Sequence, residues 1–221
     1  MRVNVLLFGA TGMVGQGVLR ECLLDPHVER VLCVGRSATG GESPKLRELV
    51  VPDVGDLSAI ERELTGFDAC FFCLGVSSIG MTEERYTRLT YDLTLAVART
   101  LASRNPAMTF VYVSGAGTDG TERGRSMWAR VKGRTENDLR RLPFKAAYMF
   151  RPAAILPLHG VRSRTRWVQL LYAVVGPIGP AWRTLFPNTI TTTEQLGRAM
   201  LRVARDGYPM PILETRDINR L

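Results

Sequence analysis

The sequence feature that most constrains the fold is a glycine-rich turn near the start of the chain. It reads Gly9-Ala10-Thr11-Gly12-Met13-Val14-Gly15, directly after the apolar run 3–8 and before a stretch with helical apolar spacing. Strand, glycine-rich turn and helix follow one another in this way where a fold binds a dinucleotide. Residues without Cβ permit the tight turn, and the helix N-terminus presents N–H groups to a pyrophosphate. The pattern predicts a cofactor site formed by Gly9, Thr11, Gly12, Met13, Val14 and Gly15.

The rest of the chain alternates between apolar strands and amphipathic helices. A strand at 31–34 closes the first βαβ unit, and further strands are predicted at 49–51, 67–74, 109–113, 146–150 and 211–213. Helices are predicted at 58–64, 82–103, 126–141, 166–175 and 193–205, with a loop at 176–180. This alternation predicts an α/β fold with a Rossmann-type, doubly wound parallel sheet.

The length of 221 residues suits a single NAD(P)-binding domain. Within it we predict a cofactor-binding core at 1–152 and a small C-terminal extension at 153–221 on the substrate side. The Gly/Pro-rich stretch after residue 175 and the looser pattern beyond 152 are the basis for this division.

The chain carries a net charge of +8, which comes largely from arginine. Such a charge suits an anionic cofactor, a nucleic acid or an anionic membrane, but a solvated basic surface is the simpler interpretation. Nucleic acid is not expected as a partner, because no basic run is interleaved with aromatic residues. The longest uncharged run, 167–182, is too short to span a bilayer, and the start does not read as a signal peptide. A cytoplasmic protein is the expectation, with a homodimer or a protein partner left open.

The four cysteines include one C-x-x-C pattern, Cys70-Phe71-Phe72-Cys73, inside an apolar stretch. Residues three apart on a strand point to opposite faces, so the two sulfur atoms should not meet. With only His27 and His159 in the chain, we predict buried packing for these cysteines and no metal site.

Two segments bear on the adenosine end of the cofactor. The second strand ends in Val34-Gly35-Arg36-Ser37, which has an arginine and lacks the carboxylate that favours NAD(H). Arg36 therefore predicts NADP(H), although a solvated loop arginine is the alternative. Asp56 and Leu57 follow the third strand, where they either contact the adenine or begin a helix.

The fourth strand is followed by Leu74 and Gly75, at the edge of the sheet where open α/β folds bind ligands. A glycine there lets the backbone pass close to the cofactor ribose. Ser114 ends the fifth strand at the same edge, and Lys132 lies on the helix that follows.

Taken together, these ordered motifs resemble an atypical short-chain dehydrogenase/reductase. The set comprises Gly9-x-x-Gly12-x-x-Gly15, Asp56-Leu57, Cys73-Leu74-Gly75, Ser114, Val131-Lys132-Gly133 and Arg151-Pro152. Within that superfamily the chain is similar to the oxidoreductases related to the Tat-interacting protein, a group also described as NAD(P)-binding or epimerase-like. The resemblance implies that Lys132 binds the cofactor's ribose hydroxyls and that Ser114 binds the substrate carbonyl. It also implies that Arg151, Pro152 and the segment after them, including Ile155, border the nicotinamide.

One position departs from the family pattern. The family's acid/base is a tyrosine four residues before the lysine, and this chain has Trp128 there. An indole N–H donates a hydrogen bond but does not relay a proton. Tyr86, Tyr91 or water are the alternative proton sources. The prediction is an NADP(H)-dependent oxidoreductase acting on an unidentified small carbonyl or related substrate, with Ser114 and Lys132 as catalytic residues. The alternative is a non-catalytic NADP(H)-binding sensor or regulatory protein.

Overall fold

The computed structural model describes residues 2–161 and 189–221. Its strands are β1 (Val3–Phe8), β2 (Val28–Gly35), β3 (Leu46–Val50), β4 (Ala69–Phe72), β5 (Thr109–Val113), β6 (Ala146–Arg151), β7 (Ala154–Leu156), β8 (Ile190–Thr192) and β9 (Ile212–Glu214). Its helices are α1 (Met13–Leu24), α2 (Glu83–Thr87), α3 (Leu93–Arg104), α4 (Met127–Leu139), α5 (Thr193–Asp206) and α6 (Thr215–Ile218), with a 3-10 helix at Ser58–Leu64 and a π-helical turn at Arg88–Asp92.

Seven of the described strands form one parallel sheet in the order β3-β2-β1-β4-β5-β6-β9. The strand order reverses between β1 and β4, which are paired with each other. This order and the flanking helices confirm the predicted Rossmann-type doubly wound fold. In such a sheet the carboxyl ends of β1 and β4 diverge into a crevice, which is where the fold binds its ligands.

The central strands are apolar along nearly their whole length because helices cover both faces of the sheet. In β1, Val5 and Leu7 pack into one core, while Leu6 and Phe8 pack into the other. The first core also holds side chains of α1 and α5, and the second holds side chains of α3. Both faces of the sheet are thus buried, and the rigid strands fix the positions of the loops at their carboxyl ends.

The C-x-x-C pattern divides between the two cores, as predicted. Cys70 is buried in the second core, whereas Cys73 packs against the first. All four cysteines are free thiols. In the described ranges, no three side chains of His, Cys, Asp or Glu are grouped so that they could bind a metal ion.

Several elements differ from their predicted form. The helix predicted at 82–103 is divided into α2 and α3 by the π-helical turn. The helix predicted at 58–64 is a 3-10 helix, and the short strands β7 and β8 were not predicted. These two strands pair with each other in a separate parallel sheet.

Residues 189–221 contribute to the main core. Strand β9 pairs with β6, and Leu196, Met200 and Leu213 lie in the first core. The predicted helix 166–175 and loop 176–180 lie outside the described residues. The division at residue 152 stays a prediction. No helix in the described ranges combines the length and apolar character needed to cross a membrane.

Candidate functional site

The glycine-rich turn connects β1 to α1 at the carboxyl edge of the sheet. Gly9 has a φ of 83°, and its carbonyl oxygen accepts a hydrogen bond of 2.9 Å from the N–H of Gly12. A Cβ on Gly15 would lie 2.0 Å from that same oxygen, and a Cβ on Gly9 would lie 2.8 Å from the Leu74 nitrogen. The turn therefore requires glycine at both positions, and it brings bare backbone to the edge of the crevice.

Helix α1 begins at this turn without a side-chain cap. Gly12 is the N-cap residue, and no side chain accepts a hydrogen bond there. The N–H groups of the first turn and the positive end of the helix dipole are therefore oriented toward any anion at this edge. The Gln16 side chain donates a hydrogen bond of 3.0 Å to the Thr11 carbonyl, which holds the turn against the helix.

A cleft of about 440 Å³ opens beside the glycine-rich turn. Its lining is mostly apolar, with one arginine and one carboxylate. The lining residues are Gly9, Gly12, Met13, Arg36, Pro52, Asp53, Val54, Cys73, Leu74, Gly75, Val76, Leu89 and Leu93. The cleft thus brings together six of the predicted cofactor residues: Gly9, Gly12, Met13, Arg36, Leu74 and Gly75.

Thr11 and Val14 lie next to this cleft. Thr11 lines an adjoining narrow groove together with Gly9, Arg36 and Leu74. Val14 packs against the first core and so anchors α1 rather than lining the cleft. Arg36, at the end of β2, is exposed and borders both the cleft and the groove.

The structure places Asp56 and Leu57 differently from Asp53 and Val54, their near neighbours. Asp56 is exposed, and its carboxylate accepts a hydrogen bond of 3.1 Å from the Ser58 N–H. A hydrogen bond with the Ser58 side chain, followed by this backbone bond, lowers the pKa of Asp56. Leu57 and Val54 are both buried in the second core, but only Val54 also lines the cleft, together with Asp53. An adenine contact by Asp56 or Leu57 stays a prediction, and the residues on the cleft wall here are Asp53 and Val54.

Ser114 and Lys132 are brought together at the end of β5. The Lys132 ammonium donates a hydrogen bond of 2.8 Å to the main-chain oxygen of Ser114, and it lies 5.7 Å from the Tyr112 ring centroid. Burial lowers the pKa of Lys132 to about 8, and the nearby Glu136 carboxylate opposes this shift. An ammonium with a pKa near neutrality can exchange a proton at physiological pH.

Thr118 is a residue of this site that sequence reasoning missed. Its hydroxyl lies 2.9 Å from the Ser114 hydroxyl and donates a hydrogen bond of 2.7 Å to the Gly115 carbonyl. Both hydroxyl residues are buried. A threonine in a glycine-rich loop carries no sequence signal for such a role, because only the turn geometry brings it back to Ser114.

Trp128 lies on α4, one turn before Lys132. A Cβ on Gly117 would lie 3.6 Å from the Trp128 ring, so the loop after β5 packs against the indole. The two tyrosines considered as proton sources are engaged elsewhere. The Tyr91 hydroxyl donates a hydrogen bond of 2.6 Å to Asp138, and Tyr86 is buried with a raised pKa.

Arg151, Pro152 and Ile155 follow β6. Arg151 binds the buried carboxylate of Glu136 through Nε, at 3.0 and 3.2 Å, and its side chain also forms an ion pair with Glu214. The Pro152 carbonyl accepts a hydrogen bond of 3.0 Å from Ala116, and Ile155 packs against the first core. The Arg151 side chain thus joins α4 to β6, and its role toward a cofactor stays a prediction.

The sequence of the chain matches the model of a known protein family. Residues 5–135 match the model of the NAD dependent epimerase/dehydratase family, and these residues include the glycine-rich turn, Ser114 and Lys132. The chain belongs to this family. It therefore has the fold of an NAD(P)-binding oxidoreductase of the epimerase/dehydratase type. The finer resemblance to oxidoreductases related to the Tat-interacting protein stays a prediction.

Two curated relatives are fungal proteins. Protein FMP52-2, mitochondrial, of Scheffersomyces stipitis is 25% identical over 224 residues, which cover 99% of this chain and 93% of the relative. Protein fmp52, mitochondrial, of Aspergillus fumigatus is 30% identical over 173 residues, covering 74% of this chain and 70% of the relative. Both names place these proteins in mitochondria. The prediction of a cytoplasmic protein is therefore wrong as judged by its relatives; it rested on the absence of a recognisable signal, which is weak evidence.

A solved structure with the same fold contains a bound nucleotide. The Bordetella bronchiseptica enzyme WbmF in complex with NAD+ superposes with a TM-score of 0.68 at 16% identity, covering 99% of this chain and 77% of WbmF. At this identity the likeness establishes the fold. The choice between NADP(H) and NAD(H) depends on this chain's own residues.

Proposed function

We propose that the protein is an NADP(H)-dependent oxidoreductase that acts on a small carbonyl compound or a related substrate. The observation that carries the proposal is the hydrogen bond from the Lys132 ammonium to Ser114 at the carboxyl edge of the sheet. The bond is to the main-chain oxygen of Ser114, so it places the ammonium beside the residue that carries the hydroxyl, at the end of β5 and at the same sheet edge as the glycine-rich turn. Family membership supports an enzyme of this class.

The residues of the cleft fit a dinucleotide. A turn that a Cβ would block and an uncapped helix N-terminus suit a pyrophosphate, while the apolar walls suit the adenosine. The turn Gly9–Gly15 would hold the pyrophosphate, and Lys132 would bind the ribose hydroxyls. When bound, the nicotinamide supplies or accepts the hydride.

Arg36 is the basis for preferring NADP(H). It is exposed beside the cleft at the end of β2, where a 2′-phosphate would lie in a fold of this type. A guanidinium binds a phosphate with charge-assisted hydrogen bonds. Asp53 on the same wall is the one carboxylate among the lining residues of this cleft, and it belongs to a different loop.

Ser114 would bind the reacting oxygen of the substrate, and Lys132 is the nearby group that can release a proton. Trp128 supplies a hydrogen-bond donor and an aromatic wall rather than a proton. The non-catalytic alternative depended on Trp128, and no further observation favours it over an enzyme.

The test of the cofactor is a calorimetric titration of the purified protein with NADPH and, separately, with NADH. Arg36→Ala should weaken NADPH binding by about ten- to a hundredfold, the value of charged hydrogen bonds, and leave NADH binding unchanged. Arg140→Ala is the matched control. It removes the same charge at the end of α4, which points away from the carboxyl edge of the sheet. Equal affinities for NADPH and NADH in the wild-type protein would refute the NADP(H) preference.

Turnover is tested with NADPH and three probes: benzaldehyde, cyclohexanone and 9,10-phenanthrenequinone. Oxidation of NADPH above the rate without protein supports an oxidoreductase. The Trp128→Tyr variant distinguishes an oxidoreductase from a non-catalytic cofactor-binding protein. If the wild-type protein is inactive and this variant gains activity, the protein is a cofactor-binding protein that has lost its catalytic tyrosine.

A further inference from the structure

We propose that Thr118 is a positioning residue that sets whether the Ser114 hydroxyl donates or accepts a hydrogen bond in the substrate site. The inference rests on the proposed oxidoreductase function and names a residue that the sequence motifs do not include. Its basis is the arrangement of three consecutive hydrogen-bonding groups, Ser114, Thr118 and Gly115, at the end of β5.

One direction of the hydrogen-bond chain follows from the contact between Thr118 and Gly115. The Thr118 hydroxyl donates to the Gly115 carbonyl at 2.7 Å, and a carbonyl oxygen can only accept. A hydroxyl has one proton, so Thr118 has none left for Ser114. At 2.9 Å the Ser114 hydroxyl must then donate to Thr118. In this state Ser114 keeps a lone pair for a further donor and suits a substrate that donates, such as an alcohol.

The opposite direction is also available without leaving a buried group unpaired. The Gly115 carbonyl accepts a second hydrogen bond, of 3.2 Å, from the backbone N–H of Thr118. If the Thr118 hydroxyl turns to donate to Ser114, Gly115 keeps that backbone bond. Ser114 is then free to donate its proton to a carbonyl oxygen. Rotation of one hydroxyl thus fits Ser114 to both the alcohol and the carbonyl form of a substrate.

The two hydroxyl groups are shielded from water, so each depends on the other as a hydrogen-bond partner. Ser114 is 8% exposed and Thr118 is 7% exposed, so water has little access to replace either partner. A buried hydroxyl that loses its partner costs free energy, and it also loses its fixed rotamer. Thr118 therefore holds the Ser114 oxygen in position as well as setting which of the two hydroxyls donates.

The loop that carries Thr118 is hydrogen-bonded to two neighbouring segments of the chain. The Ala116 N–H donates to the Pro152 carbonyl at 3.0 Å, and the Asp119 N–H donates to the Ala129 carbonyl at 3.1 Å. The Asp119 carboxylate further accepts hydrogen bonds from the backbone of Thr121, Arg123 and Gly124. The first two bonds tie the loop to the end of β6 and to α4, so the Thr118 oxygen is held in place before any substrate binds, while its proton can still turn.

The experiment compares Thr118→Val, which keeps the shape and removes the hydroxyl, with Thr118→Ser, which keeps the hydroxyl. NADPH oxidation is measured with benzaldehyde, cyclohexanone and 9,10-phenanthrenequinone, and NADPH affinity is measured by calorimetry. We expect Thr118→Val to lower kcat by about tenfold, the value of one neutral hydrogen bond, with NADPH affinity and KM within about twofold of wild type. Thr118→Ser should recover kcat to within about threefold, which a purely structural role of the side chain would not produce.

Thr118→Ala provides the same test without a branched side chain if the valine variant does not fold. A kcat unchanged in Thr118→Val, or a Thr118→Ser variant as slow as the valine variant, would overturn the inference while leaving the proposed function intact. A wild-type protein that binds NADPH but turns over none of the probes would overturn the proposed function, and the inference with it.

Discussion

The Lys132 ammonium is bonded at 2.8 Å to the main-chain oxygen of Ser114, and this contact links α4 to the end of β5. A lysine has three N–H donors, and this bond uses one of them. The Lys132 ammonium also lies over the Tyr112 ring, which shields one side of the charge from water. The packing of α4 on the sheet both positions the ammonium and partly buries it.

Lys132 is predicted to ionise near pH 8 in the folded protein. Burial lowers its pKa from 10.5 to about 8, and Glu136 acts in the opposite direction. The measurement is an NMR titration of protein labelled with [13C]lysine, in which the Cε shift follows ionisation. The chain has three lysines, at 45, 132 and 145, so the spectrum is simple, and the signal missing in Lys132→Arg identifies the residue.

The same shift predicts a pH dependence of stability. The folded protein releases this proton at a lower pH than the unfolded chain, so the unfolded state binds more protons between about pH 8 and 10.5. The Lys132 contribution to the free energy of unfolding should therefore rise with pH across that window. Urea unfolding of the wild-type protein and of Lys132→Met at pH 7 and pH 10 measures it. A difference between the two proteins that does not change with pH would contradict the lowered pKa.

The buried ion pair between Arg151 and Glu136 should be essential for stability. Glu136 is 1% exposed, and Arg151 contacts both of its carboxylate oxygens. Arg151→Ala leaves a buried, unpaired carboxylate, and we expect it to lower the free energy of unfolding by about 3 kcal/mol or more. Urea unfolding measures this loss.

Glu214→Gln is the control for that pair. Glu214 also bonds to Arg151, at 3.4 Å, but its side chain is 44% exposed. We expect its loss to cost less than about 1 kcal/mol, as for other exposed ion pairs. If the two variants are equally stable, the Arg151–Glu136 contact does not hold α4 on β6.

Glu136→Gln should also lower the pKa of Lys132 further, because it removes the carboxylate that raises it.

The sequence was sufficient to predict the fold because its signals are local. The run Val3–Phe8 and the glycines after it specify strand and turn within a few residues, and the alternation of such units specifies the sheet. The C-x-x-C pattern could also be interpreted correctly, since the faces of a strand alternate strictly. The break in the helix between Thr87 and Leu93 could not, because a π-helical turn has no composition of its own.

The site was predictable only in part because some of its contacts join distant segments. The pairing of Arg151 with Glu136 depends on how α4 packs beside β6. The return of Thr118 to Ser114 depends on the geometry of the turn between them. Asp56 and Asp53 differ by three positions in one loop, and only the path of that loop determines that Asp53 faces the cleft. Motif spacing identifies which loops border a site, whereas the side chains that face it follow from the packing.

The glycine-rich turn should not tolerate a side chain at position 15. A Cβ on Gly15 would lie 2.0 Å from the Gly9 oxygen, so Gly15→Ala must displace the turn or the start of α1. We expect NADPH affinity to fall by more than about tenfold, because the displaced N–H groups no longer converge on a pyrophosphate. Gly41→Ala is the control, since its Cβ would lie no closer than 3.4 Å to any atom in an exposed loop. If Gly15→Ala does not fold, Gly12→Ala, whose Cβ would lie 3.3 Å from the same oxygen, makes a milder change. NADPH affinity equal to wild type in a folded Gly15→Ala variant would show that the pyrophosphate does not bind at this turn.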